Sequence, residues 1–157
     1  MRPITKIYHF TNKELNKYNL IEVEDLIFTI RGVQVMLDRD LAEMYDIETR
    51  VFNQAVKRNI YRFPEKFRFQ LTEVEIKDLR SHLVTSNSKS QIVTLNISGT
   101  KQGKILKYLP YAFTEQGVAM LSAVLRSEKA IRVSIQIMNA FVEMRKVLAI
   151  IQGFCKE

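Results

Sequence analysis

Asp38-Arg39-Asp40-Leu41-Ala42-Glu43-Met44-Tyr45-Asp46-Ile47-Glu48-Thr49-Arg50-Val51-Phe52-Asn53-Gln54-Ala55-Val56-Lys57-Arg58-Asn59-Ile60 holds two helical periods with little between them. Leu41, Ala42, Met44 and Tyr45 follow one amphipathic spacing that ends near Asp46, with Asp38 placed to cap the first amides. Thr49 is placed to cap a second helix, whose apolar stripe is Val51, Phe52, Ala55, Val56 and Ile60. Arg50, Asn53, Gln54, Lys57, Arg58 and Asn59 are left for its outer surface. Two short helices in close succession are a common packing unit. They are also the helix-turn-helix arrangement, whose second helix enters the major groove of DNA. Asp46 stands in the turn, where many such motifs carry glycine.

Upstream, Leu26–Arg31 and Gln34–Leu37 are β-prone runs around Gly32-Val33, which predicts a hairpin feeding the first helix. Downstream, Pro64 stops any helix, and Phe67, Phe69 and Leu71 alternate with Arg68 and Gln70 as a strand does. Thr72-Glu73-Val74-Glu75 has capping-box form and opens a helix to about Arg80. Residues 82–104 are rich in Ser, Thr, Asn, Gly and Lys and read as an exposed loop or hairpin, with a candidate strand at Gln91–Ile97. Leu106–Pro110 is a candidate returning strand; Thr114 and Ser127 are placed to cap two further helices, the second running to about Ile150. The class is α+β: an N-terminal hairpin, two short helices in helix-turn-helix-like order, additional strands and a long C-terminal helix. Residues 1–21, where Thr11–Glu14 has capping-box form, read as an extension, 22–150 as one domain and 151–157 as a tail.

The long helix carries two apolar stripes. Val133, Ile137, Ala140, Met144, Val147 and Ile151 alternate spacings of four and three, as a packing seam does, and Ile131, Ile135, Met138 and Val142 lie well round the cylinder. Either the domain wraps this helix or one stripe joins two copies. The more regular stripe is the expected homodimer interface.

Charge is unevenly placed along the 157 residues. Glu22–Glu48 has eight acids against Arg31 and Arg39, a balance of −6. Arg50–Gln70 has six bases against Glu65, a balance of +5, and His82–Leu109 adds four lysines and no acid, so these two segments outweigh the whole net charge of +7. Such concentration suits a polyanion, because neutralised phosphates release counterions. A solvated basic face has the same composition. No apolar run approaches the roughly 18–20 residues of a membrane span, and Met1–Lys6 lacks a signal peptide's apolar segment, so a cytoplasmic protein without membrane contact is expected. With one cysteine, Cys155, and two histidines, His9 and His82, neither a disulfide framework nor a zinc site is expected. The sequence has no nucleophile elbow, phosphate-binding glycine loop or metal-ligand cluster, which argues against an enzyme and against any cofactor.

Arg50, Lys57 and Arg58 suit phosphates or guanine, and Asn53, Gln54 and Asn59 carry the paired donor and acceptor that reads adenine. Tyr61, Phe63, Phe67 and Phe69 read as core, with Arg62, Lys66 and Arg68 emerging on the opposite, solvated face to hold phosphates. Lys101 and Lys104, beside Gly103, suit a backbone-tracking arm.

Met36–Tyr45, then Asn53-Gln54-Ala55-Val56-Lys57-Arg58-Asn59, Arg62-Phe63-Pro64-Glu65 and Phe69-Gln70-Leu71-Thr72, resemble the KilA-N-like phage DNA-binding family, in the branch called the ORF-six-N domain. Tyr108–Ser122, followed by Leu125-Arg126-Ser127, resembles the same branch, so the likeness covers roughly residues 22–148. It implies a compact α+β domain of phages, large DNA viruses and prophages, often an N-terminal module of transcriptional regulators or antirepressors. Double-stranded DNA is then the expected partner. A phage or host regulator is the expected partner of an antirepressor-like interaction module, the alternative reading. Little chain follows the domain, so any separate C-terminal effector module is expected to be absent or to have been removed.

Overall fold

Alternation along the strand Val33–Leu37 divides its side chains between two cores, Val35 and Leu37 turning one way and Met36 the other. The computed structural model describes residues 23–85 and 108–154. Their strands are β1 (Phe28–Ile30), β2 (Val33–Leu37), β3 (Arg68–Gln70) and β4 (Tyr111–Thr114), joined antiparallel in the order β1-β2-β4-β3. The helices are α1 (Asp38–Met44), α2 (Thr49–Arg58), α3 (Glu73–Thr85), α4 (Glu115–Val124) and α5 (Glu128–Phe154). The α+β class expected from the pattern is the class observed.

The register sets the layers. Leu37, Ala112 and Phe69 lie abreast and pack with Leu71 against Ile76 and Leu79 of α3. Met36, Phe113 and Arg68 lie abreast on the other face, where Met36 and Phe113 join Leu41, Phe52, Val56, Phe63, Val118, Leu121, Ile137 and Phe141. Helices thus cover both faces of the sheet. Phe113 is the hub of the larger core, edge-on to Phe52 at 5.4 Å and to Phe63 at 5.9 Å.

Several local signals act as their chemistry predicts. Thr72 and Glu75 form a reciprocal capping box, with Thr72 N–H donating to the carboxylate at 2.8 Å and Glu75 N–H to the hydroxyl at 3.3 Å. The Thr114 hydroxyl accepts from Gly117 N–H at the start of α4, and that of Ser127 from Ala130 N–H at the start of α5.

Other positions differ, each for a physical reason. The hairpin turn is Arg31-Gly32 rather than Gly32-Val33: both residues have positive φ, +54° and +74°, which matches the strand twist of a two-residue turn. Arg31 is held there by Glu75 at 2.6 Å and by stacking 4.4 Å over Phe69. The described part of the predicted Leu106–Pro110, residues 108–110, is not strand and β4 starts at Tyr111, since Pro110 has no N–H for a ladder and serves by accepting from Leu71 N–H at 2.9 Å; residues 106–107 lie outside the described residues. α3 continues to Thr85 and α5 through Phe154, past the predicted ends near Arg80 and Ile150. The predicted turn at Thr11–Glu14 and strand at Gln91–Ile97 lie outside the described residues.

The expected dimer seam is corrected most. Val133, Ile137 and Ala140 are buried in the monomer's own core against α4, and Met144 packs at its margin; of the six, only Val147 and Ile151 are exposed. The domain covers the N-terminal half of the regular stripe. Of the second stripe, Ile131, Ile135 and Val142 face outward.

Candidate nucleic-acid interface

α2 stands on two fully buried side chains, Phe52 and Val56, one turn apart. Its entry angle is set by the turn after α1. Ile47 N–H bonds the Ala42 carbonyl and Asp46 N–H the Glu43 carbonyl, each at 3.0 Å, while Asp46 takes φ +59°. These are the paired bonds of a Schellman C-cap, usually completed by glycine. Aspartate tolerates the left-handed region better than most residues, and its carboxylate reaches Lys129 at 2.8 Å. Asp46→Ala and Asp46→Gly both lose that exposed ion pair, so their difference isolates the backbone: the glycine variant should be the more stable by about 1 kcal/mol in urea unfolding. Equal midpoints would show that the turn relaxes out of the left-handed conformation.

With Phe52 and Val56 inward, the outward face is Arg50, Val51, Gln54, Lys57 and Arg58, all exposed. α2 has no acid along its length. In α1, Asp38 and Asp40 are buried, leaving Glu43 as that helix's exposed acid. The acidic character of the first helix is therefore largely turned inward, and the basic character of the second is turned out. Lys57 and Arg58 also sit where the helix dipole favours cations.

Asn53 belongs to a different cluster. Its amide donates to the Asp38 carboxylate at 2.8 Å and to the Tyr108 hydroxyl at 2.7 Å, and Tyr108 in turn donates to Asp38. Asp38 also accepts from Arg39 N–H at 2.8 Å and from the Tyr111 backbone. Desolvation pushes the Asp38 carboxyl above its ordinary value, against the pull of these bonds, and burial together with the Asp38 charge pushes the Tyr108 phenol up. The cluster ties α2 to the segment entering β4. Both N–H donors of the Asn53 amide are spent in this cluster and its oxygen is buried, which fits a role in positioning the helix better than the predicted one as a base reader. Asp38, predicted as a cap, is the buried centre of this cluster and the first residue of α1; Thr49 likewise is the first residue of α2, with Glu48 as its N-cap.

The remaining predicted contacts divide. Asn59 spends its amide on the Ala55 carbonyl at 2.9 Å. Lys66 is exposed, and Arg62 is half-buried with its guanidinium 5.3 Å from the Tyr61 ring. Arg68 is only partly exposed: its guanidinium lies 3.6 Å over the Tyr111 ring, and its Nε is buried without a hydrogen-bond partner among the described residues. Lys101 and Lys104 lie outside the described residues.

Three exposed residues were missed. Val51 and Ile60, assigned to the apolar stripe, are 45 % and 50 % exposed, and Tyr61, assigned to the core, is 74 % exposed beyond the C-terminus of α2. Tyr61 sits in a short 3-10 turn, Ile60–Arg62, to which strand alternation does not apply. The legible signal was Pro64, whose carbonyl turns the chain by accepting from Phe67 N–H at 2.8 Å.

The family model of the ORF6N domain matches residues 25–124, from the turn before β1 to the last residue of α4. The chain belongs to the ORF6N domain family. This agrees with the KilA-N-like resemblance of its sequence blocks and places the two short helices, the sheet and α4 of the ORF6N domain within the match. No curated protein and no solved structure matches the chain. No helix among the described residues is long and apolar enough to cross a membrane.

Proposed function

We propose that this ORF6N domain binds double-stranded DNA as part of phage or prophage transcriptional regulation, with α2 lying in the major groove and no catalytic step. The observation that carries the reading is the outward face of α2: three cations and a carboxamide, with no acid on the helix, mounted on the buried side chains Phe52 and Val56. Arg50, Lys57 and Arg58 hold phosphates or guanine, with Lys66 and Arg62 beside them, and Gln54 faces the bases. Lys57→Ala with Arg58→Ala should leave the fold intact, since both side chains are exposed, and should weaken binding to random duplex DNA. The log–log dependence of affinity on salt should flatten by about one unit for each phosphate contact removed. Unchanged affinity and slope would remove α2 from the interface.

A second reading, an antirepressor-like module that binds another regulator, is favoured by one observation. Ile131, Ile135, Val142, Val147, Leu148, Ile150 and Ile151 of α5 are all exposed apolar side chains. Indifference of the unmodified chain to duplex DNA at every salt concentration would favour it over the first.

A further inference from the structure

Val51 is the one apolar side chain on the outward face of α2, in its first turn, flanked by Arg50 and three residues from Gln54. Side chains three apart on a helix are neighbours on one face, and they are displaced by about 4.5 Å along its axis. That displacement is close to one base-pair step of about 3.4 Å. A helix-turn-helix presents the N-terminal part of its second helix to the base edges, which is the part carrying Arg50, Val51 and Gln54, while Lys57 and Arg58 lie towards the other end. Asn53, the neighbouring amide, is occupied by Asp38 and Tyr108, so Gln54 is the carboxamide of α2 with its donor and acceptor turned outward.

We propose that Gln54 and Val51 form a direct reader of A·T pairs, the Gln54 carboxamide pairing with adenine N7 and N6 and the Val51 isopropyl group packing on the 5-methyl of a thymine in the same or the adjacent pair. The assignment rests on the DNA-binding reading of this face and adds which bases it selects. Both ligands are major-groove features, and the methyl group is the one apolar group there, which gives an exposed valine among polar neighbours a specific partner.

The experiment uses the full chain. Sites are selected from a random duplex pool, and each thymine of the enriched duplex is replaced in turn by uracil, which lacks only the methyl group. One replacement should weaken binding by about fourfold, the worth of one buried methyl group. In Val51→Ala the same replacement should have no effect, whereas in Val51→Thr, which keeps one methyl, part of the effect should remain. Replacing an adenine next to that thymine, or paired with it, by 7-deazaadenine should cost tenfold or more in the unmodified chain and little in Gln54→Ala. A uracil effect that persists undiminished in Val51→Ala, absence of any uracil effect, or a pool without enriched sequences would overturn the reader. In each of those cases Lys57→Ala with Arg58→Ala still tests binding on its own, so loss of that salt-dependent affinity separates failure of the reader from failure of the interface.

Discussion

Gly117→Ala should destabilise the chain by about 2–4 kcal/mol, although alanine is the better helix former by about 1 kcal/mol. A Cβ at Gly117 would lie 2.3 Å from the Phe67 carbonyl oxygen, 3.2 Å from its carbon and 3.4 Å from Phe113 Cδ1. A flexible side chain in that place would move aside. This oxygen is backbone, and it is pinned by Thr114 N–H at 3.0 Å and the Thr114 hydroxyl at 3.2 Å, so relief requires α4 to lift from the chain entering β3. The cost extends to the surface proposed to face DNA, because α4 and α2 share the core built on Phe113 and Phe52. Equilibrium unfolding in urea should show a lower midpoint with an unchanged slope. A variant as stable as the parent would mean that α4 has slack against the sheet.

What could be read in advance was whatever depends on near neighbours. The capping box at Thr72–Glu75, the caps Thr114 and Ser127, and the inward pair Phe52 and Val56 are fixed by residues three or four apart, and periodicity exposes them. What could not be read depends on long-range pairing. Asp38 and Tyr108 are 70 positions apart, and no local pattern indicates that Asn53 closes a cluster between them instead of facing a ligand. Arg68 departs from the wet face that alternation predicts, because helices cover both faces of this sheet and a guanidinium can lie flat on Tyr111. For α5, two stripes leave open whether the domain or a second copy covers the regular one; α4, itself a short amphipathic helix, covers its first three residues, Val133, Ile137 and Ala140. The cationic face proposed for DNA was legible in its charge, Arg50, Lys57 and Arg58, whereas the exposure of Val51, Ile60 and Tyr61 was not, since their apolar character argued for burial.

Asp40→Asn should make the chain more stable than its parent at neutral and alkaline pH, by roughly 2–4 kcal/mol above pH about 7, with the advantage vanishing near pH 4. Asp40 is buried in the first turn of α1, and its carboxyl is pushed up to about 7, first by desolvation, then by Glu43 and Asp38, with Arg39 pulling the other way. Below the ordinary carboxyl value of 3.8 the folded and unfolded chains both hold the proton, and the group contributes no difference. Between that value and about 7 the folded chain keeps a proton that the unfolded chain releases, so stability falls as pH rises across this window. Above it both states are ionised and the whole cost of a buried charge is present. Asparagine keeps the shape and removes the charge, and comparing the two proteins cancels the titrating groups that are not coupled to Asp40, including Glu75, whose bond to Arg31 lowers its carboxyl and acts in the opposite direction. Urea unfolding of both proteins at steps between pH about 4 and 8 measures the difference directly. A difference that stays constant across the range would mean that Asp40 reaches water and titrates as an exposed acid; one that grows towards acid would mean that its ionised form is what α1 needs.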